Sequence, residues 1–205
     1  MDRKEKERFG MPDSPEVLAI KRMIREIEAI SCCELVGVRG YSFLNMPFYQ
    51  TGTARKLEVG EADVGLVLEK LMQFRPDIVF AAGDLTDPNG THRQCLSAIR
   101  QALEVYVERM PQLWLYSGAW SEYHPSKADV LVPLTPEQVL LKRKGIFRHE
   151  SQKDKAPQPG HMTGEFWQMA EMRNAATAAL MRLYGAGDYA AMEAFRVEGQ
   201  LIARD

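Results

Sequence analysis

The chain lacks most features that would place a protein at a surface or on a nucleic acid. No stretch approaches the roughly 18 consecutive apolar residues of a membrane span. The opening MDRKEKERFG is charged and has no apolar core, so no signal peptide is expected there. Cysteine is scarce: Cys32, Cys33 and Cys95 make an odd set without CxxC spacing. Adjacent cysteines cannot readily pair with each other, and the simplest expectation is reduced thiols in the cytoplasm. Neither charge sign dominates, since 26 basic residues stand against 28 acidic ones. A net charge of −2 gives no electrostatic reason to seek nucleic acid or acidic lipid. The densest basic run, Lys142-Arg143-Lys144, sits inside a helical pattern and reads as a solvated helix face. Internal repeats and low-complexity segments are missing too.

What remains is an ordinary single-domain composition: 205 residues, 45% of them hydrophobic. Residues 1–12 read as a loose segment. Asp13-Ser14-Pro15-Glu16 is a helix start, with a cap, a first-turn proline and a carboxylate at the positive end of the dipole. Val17, Ile20, Ile24 and Ile27 then share one face, and the helix is expected to reach about Ile30. Leu35–Val38 and Tyr41–Leu44 read as short strands. A second helix is expected over Glu61–Phe74. Ile78–Ala82 follows as an unbroken apolar run suited to a strand buried on both faces of a parallel sheet. Further elements are a helix to about Arg109, strands at Leu113–Tyr116 and Val130–Pro133, and a capped helix from Thr135 through His149. The C-terminal part reads as helical over Glu165–Leu183, with a short helix near Tyr189–Phe195.

Alternating helices and strands predict an open α/β sheet. Such sheets bind ligands where strands lead into helices, at their carboxyl ends, which selects residues 83–92. There Asp84, Asp87, Asn89 and His92 crowd the end of the Ile78–Ala82 strand. Carboxylates, an amide and an imidazole can ligate a metal or hold a reactive water. The same residues also suit a plain Asp-Pro-Asn-Gly turn with a helix cap, and spacing leaves both readings open. One histidine cannot make a catalytic zinc site, which normally takes three protein ligands.

The stretch PDIVFAAGDLTDPNGTHRQCLSAIRQAL resembles the strand–loop–helix of PIG-L/LmbE deacetylases, whose loop ends in a His-x-x-His motif. It is most similar to the PIG-L-like domain at the C-terminal end of long glucosamine-6-phosphate deaminase-like proteins. The likeness extends through SPEVLAIKRMIREIEA, FLNMPFYQTG, LVPLTPEQVLLKRKGIFRHESQKDKAPQPG and FWQMAEMRNAATAAL. The resemblance implies an open, mostly parallel Rossmann-like sheet with a helical C-terminal part. It also implies zinc-dependent hydrolysis of an N-acetyl group on an amino sugar.

Position by position, His92 matches the zinc-ligating last histidine of the motif. Asn89 stands where the first histidine normally polarises the amide carbonyl; an amide can still donate to an oxyanion. Asp84 and Asp87 match the acidic approach and are expected to orient His92. His149, with Ser151-Gln152, matches a late His-x-Ser-Gln, or else simply caps a helix. Arg25 and Glu28 match a helix pair that reads more simply as a surface ion pair. Phe48 and Tyr49 replace an acidic turn and either stack on a ring or pack. Trp114, Trp120 and Trp167 read as core or lid residues, and His124 and His161 as loop residues. The family's opening Ala-His-Pro-Asp-Asp has no counterpart, so an N-terminally truncated domain is expected, with zinc binding weak or absent in this chain. The expected organisation is a loose segment 1–12, a partial domain 13–160 and a helical extension 161–205 packed on it. The expected partners are an amino-sugar small molecule and an upstream domain or second copy, with no nucleic acid and no membrane. The competing reading is a non-catalytic module that binds a sugar phosphate or a partner subunit.

Overall fold

Ser14 caps the first helix by accepting a hydrogen bond from the Val17 amide, with Pro15 in the first turn. In the computed structural model, which describes residues 13–49, 56–83, 90–117, 122–152 and 165–199, this helix α1 runs Pro15–Val36. It therefore runs into the first of the expected strands, taking up Leu35 and Val36. The helical pattern continues until Gly37, whose left-handed φ of 77° lets its amide reach the carbonyls of Cys33 and Glu34 and close the helix. Residues 38–46 carry no regular structure, so the second expected strand is not formed either.

The remaining helices are α2 (Glu61–Phe74), α3 (Thr91–Val105), α4 (Pro136–Arg148) and α5 (Phe166–Leu183). The strands are β1 (Ile78–Ala82), β2 (Gln112–Tyr116), β3 (Val130–Leu134) and β4 (Ala191–Glu198). They form one open sheet in the order β1-β2-β4-β3. β1 and β2 pair in parallel, and β4 runs antiparallel to both β2 and β3. Three strands thus share one direction, and the fold is the expected open α/β sheet.

Two elements depart from expectation. The segment expected as a short helix near Tyr189–Phe195 is β4, inserted between β2 and β3. Ala-Met-Glu-Ala favours helix locally, but here the backbone bonds to a strand on each side and buries Ala191, Met192, Ala194 and Phe195. β1 is not buried on both faces. It lies at the sheet edge, with Ile78 and Phe80 exposed by 36% and 55%.

Register sorts the sheet into two faces. Ala81, Leu113 and Leu115 point to one of them and are buried against Leu71 of α2 and Leu96, Ala102 and Leu103 of α3. Phe80, Trp114, Tyr116, Phe195 and Glu193 occupy the other. The two faces meet their neighbours closely at the end of β1. A Cβ on Gly83 would lie 2.8 Å from the Leu115 Cβ and collide with the Tyr123 hydroxyl, so only glycine fits where the chain leaves the strand. Asp63, 2% exposed, accepts from the amides of Phe48 and Gly60 at 3.0 Å each and so pins the Pro47–Tyr49 turn to α2. Phe48 is accordingly packed, with 1% exposure.

Candidate functional site

A cleft of about 1020 Å³ opens over the aromatic face of the sheet. Its floor is Phe80, Trp114 and Phe195, whose ring centroids lie 5.6–5.9 Å apart in edge and tilted contacts. These rings come from three different strands, β1, β2 and β4, and meet because register puts them on one face. Trp114 is oriented by its own strand: its indole N–H donates to Gln112 Oε1 at 3.0 Å.

His92 and His149, far apart in sequence, both line this cleft. His92 sits in the first turn of α3, at the helix's positive end, and its Nδ1 is out of reach of solvent. His149 is the C-cap of α4, where its amide donates to the Ile146 carbonyl. Beyond it, Ser151 is held by α1: Glu28 accepts from both the Ser151 amide and its hydroxyl at 2.7 Å. Gln152 also lines the cleft. Glu28 and Arg25 thus do not form the expected ion pair with each other; Arg25 donates to the Tyr49 hydroxyl at 3.4 Å. Asp84, Asp87 and Asn89 lie outside the described residues, as do Trp120 and His161. His124 caps a short turn by bonding Ser126, and Trp167 packs on Phe147 and under Arg143.

The polar wall of the cleft is the part that sequence reasoning missed. Lys142 is not on a solvated face. Its ammonium donates to Asn174 Oδ1 at 2.8 Å and to Glu193 Oε1. Asn174, 4% exposed on α5, passes the network on by donating to Glu122 Oε2 at 3.1 Å. Glu122 Oε1 accepts from the Tyr123 amide, also at 3.1 Å. Burial pushes the Glu122 carboxyl above its ordinary range, against the Tyr123 amide and the positive charges of Arg173 and Lys142, while Glu193 adds to the rise. The neighbouring Arg143 is likewise engaged, in a bidentate pair with Glu171. One signal was available: Lys142, Ile146 and His149 follow helical spacing and share the cleft-lining face of α4.

The arrangement can hold an amphipathic ring, with its apolar face on the aromatic floor and its polar edge toward charged and amide groups. Zinc, implied by the resemblance, meets a harder test. Among the described residues, no three His, Cys, Asp or Glu side chains converge to hold a metal. The described side chains around His92 therefore do not make the three-ligand set that zinc requires.

No family model matches the chain. It is 40% identical over 194 residues to a glucosamine-6-phosphate deaminase-like protein of Bacteroides thetaiotaomicron, an alignment that takes in 91% of this chain. The chain spans 29% of the length of that relative. Among solved structures, the 4-carboxy-2-hydroxymuconate hydratase GalB of Pseudomonas putida KT2440 matches with a TM-score of 0.62. That match covers 91% of this chain and 76% of the hydratase at 15% identity, and it speaks for the fold alone. The chain is thus an open α/β domain similar to one stretch of a much longer glucosamine-6-phosphate deaminase-like protein.

Proposed function

We propose that the chain is the larger part of an N-acetyl amino-sugar deacetylase-type domain, which hydrolyses its amide only when a further polypeptide segment completes the site. The observation that carries this reading is the cleft itself. It brings His92 and His149, the two histidines that the PIG-L/LmbE resemblance picks out, to one aromatic-floored cavity. The name of the 40% identical relative adds amino-sugar context.

Within the chain's own residues, the proposed roles draw on the cleft lining and on the resemblance. The aromatic floor takes the ring. The first turn of α3 presents the positive end of a helix to the reacting amide and helps hold charge that develops on its oxygen. Asn89, by the resemblance, donates to that same oxygen. By the same resemblance Asp84 and Asp87 would orient His92, while His149 and Gln152 line the cleft.

The free side of β1 supports the need for a further segment. Its apolar edge carries no charge or proline to discourage pairing, and among the described residues nothing bonds to it. α1 adds a second uncovered surface, for none of its residues is buried and Ile20, Met23, Ile24 and Ile27 are exposed.

A titration tests the reading. The chain alone is expected to bind zinc no better than micromolar affinity. Co-expression with the region of the longer relative outside the matched stretch is expected to raise both zinc affinity and melting temperature. A tight stoichiometric zinc site in the chain alone, abolished by His92→Ala, would contradict the incompleteness. The second reading, a non-catalytic module for a sugar phosphate or a partner subunit, draws on the lack of a converging ligand set among the described residues. It predicts ligand binding with no zinc uptake in the completed protein.

A further inference from the structure

Lys142 and Glu193 form a charged pair at the surface of the cleft, with side chains 33% and 30% exposed. Asn174 fixes the lysine from behind, and Asn174 is itself fixed by Glu122. The hydrogen-bonding capacity of the pair is not used up. An ammonium has three donors, and that of Lys142 spends two of them, on Asn174 and Glu193. Glu193 accepts from Lys142 through Oε1, and among the described residues no hydrogen bond reaches its Oε2. One donor and one acceptor are therefore left side by side on groups that line the cavity.

A hydroxyl can accept and donate at once, so two neighbouring hydroxyls match a donor beside an acceptor. An anion does not. The Lys142 charge is already met by Glu193, and the Glu122 carboxyl stands in the same wall against the charge of Arg173, so these four groups carry no net positive charge to draw an anion. Phe195 lies two residues beyond Glu193 on the same face of β4, so an apolar ring face would rest on aromatic surface while its rim reached the pair. Lys142 and His149 are also separated along α4 by about 10 Å at the usual helical rise, which places this wall away from the histidines.

We propose that Lys142 and Glu193, positioned by Asn174, are a recognition subsite for two neighbouring hydroxyls on the neutral rim of a sugar ring, and that this wall does not take a phosphate. The inference rests on the amino-sugar reading above and names which edge of that ligand is read.

The test is a set of titrations on the 205-residue chain. The probes are N-acetylglucosamine, its analogues lacking one ring hydroxyl at a time, and inorganic phosphate as competitor. Glu193→Gln and Lys142→Met are each expected to weaken N-acetylglucosamine about tenfold, the usual effect of losing one charged hydrogen bond. On the unaltered chain, two analogues missing adjacent hydroxyls should lose a similar factor, which keeps the test independent of whether the variants fold. Phosphate should not compete. Failure of N-acetylglucosamine to bind, equal affinity for every analogue, or displacement by phosphate would each overturn the subsite. If the completed domain releases acetate and Glu193→Gln leaves its KM unchanged, the deacetylase reading stands and the subsite falls. Hydroxyl-dependent binding without acetate release does the reverse.

Discussion

Removing the Asn174 amide should loosen the polar wall by a calculable amount. Asn174 makes two hydrogen bonds to ionisable partners, Lys142 and Glu122, from a position 4% exposed. A buried bond to a charged group contributes about 1.5–3 kcal/mol. Lys142 keeps a third of its side-chain surface in solvent and Glu122 is only part-buried, so both recover some hydration when the amide is gone. About 1 kcal/mol per bond is then reasonable, or about 2 kcal/mol for Asn174→Ala. Alanine returns roughly 0.5 kcal/mol through its better helix propensity in α5. The net loss is about 1.5 kcal/mol, which for a domain of this size lowers Tm by about 3–6 °C. Met172, on the same helix and 54% exposed, is the control: Met172→Ala should stay within about 0.5 kcal/mol of wild type. Thermal melting followed by circular dichroism decides the matter. Equal melting of Asn174→Ala and wild type would show that the network does not hold α5 to α4 and β4.

Glu122 gives a pH signature. Its folded carboxyl titrates above the ordinary value of 4.5, so the folded state holds the proton more tightly than the unfolded one. Its contribution to stability therefore falls as pH rises from 4.5 through the folded value, and is recovered on acidification. Chemical denaturation of wild type and Glu122→Gln across that range should show wild type gaining on the variant as pH drops; a constant difference would refute this. At the sheet edge, Ile78→Lys should reduce self-association of the chain, since a charge blunts an open strand. Sedimentation showing wild type monomeric at every concentration would contradict that. Cys32, Cys33 and Cys95 form no disulfide with one another. Burial and the adjacent Cys33 push the Cys32 thiol up, against Arg148, so Cys32 should alkylate more slowly than an ordinary thiol; mass spectrometry finding it the first to react would count against this.

Where the sequence proved legible, the local and tertiary signals agreed. Glu61–Phe74, expected as a helix, is α2, and the helix cap expected at Thr135-Pro136-Glu137-Gln138 is a capping box at the start of α4. Of residues 83–92, selected by a rule of open α/β sheets, His92 lines the cleft, and residues 84–89 lie outside the described residues. β4 was not legible because nothing local makes Ala191–Glu198 a strand; the flanking β2 and β3 do. Lys142 was hidden in a basic run that on most helices faces water. Its partners, Asn174 and Glu193, lie 32 and 51 residues away. Glu122 stands in a stretch without periodicity, SGAWSEYH, which carries no hint that burial will shift its proton. Polar networks assembled from three separate elements and a residue outside them leave almost no periodic trace in a sequence.

Acetate release from N-acetylglucosamine by the completed domain is the most direct test of the central claim. The completed domain here is this chain co-expressed with the region of the longer relative that lies outside the matched stretch. Acetate should appear with the completed domain, be lost on His92→Ala, and be absent with the chain alone. Acetate release that is unaffected by His92→Ala, or a completed, zinc-loaded domain that binds the sugar and leaves its amide intact, would contradict it.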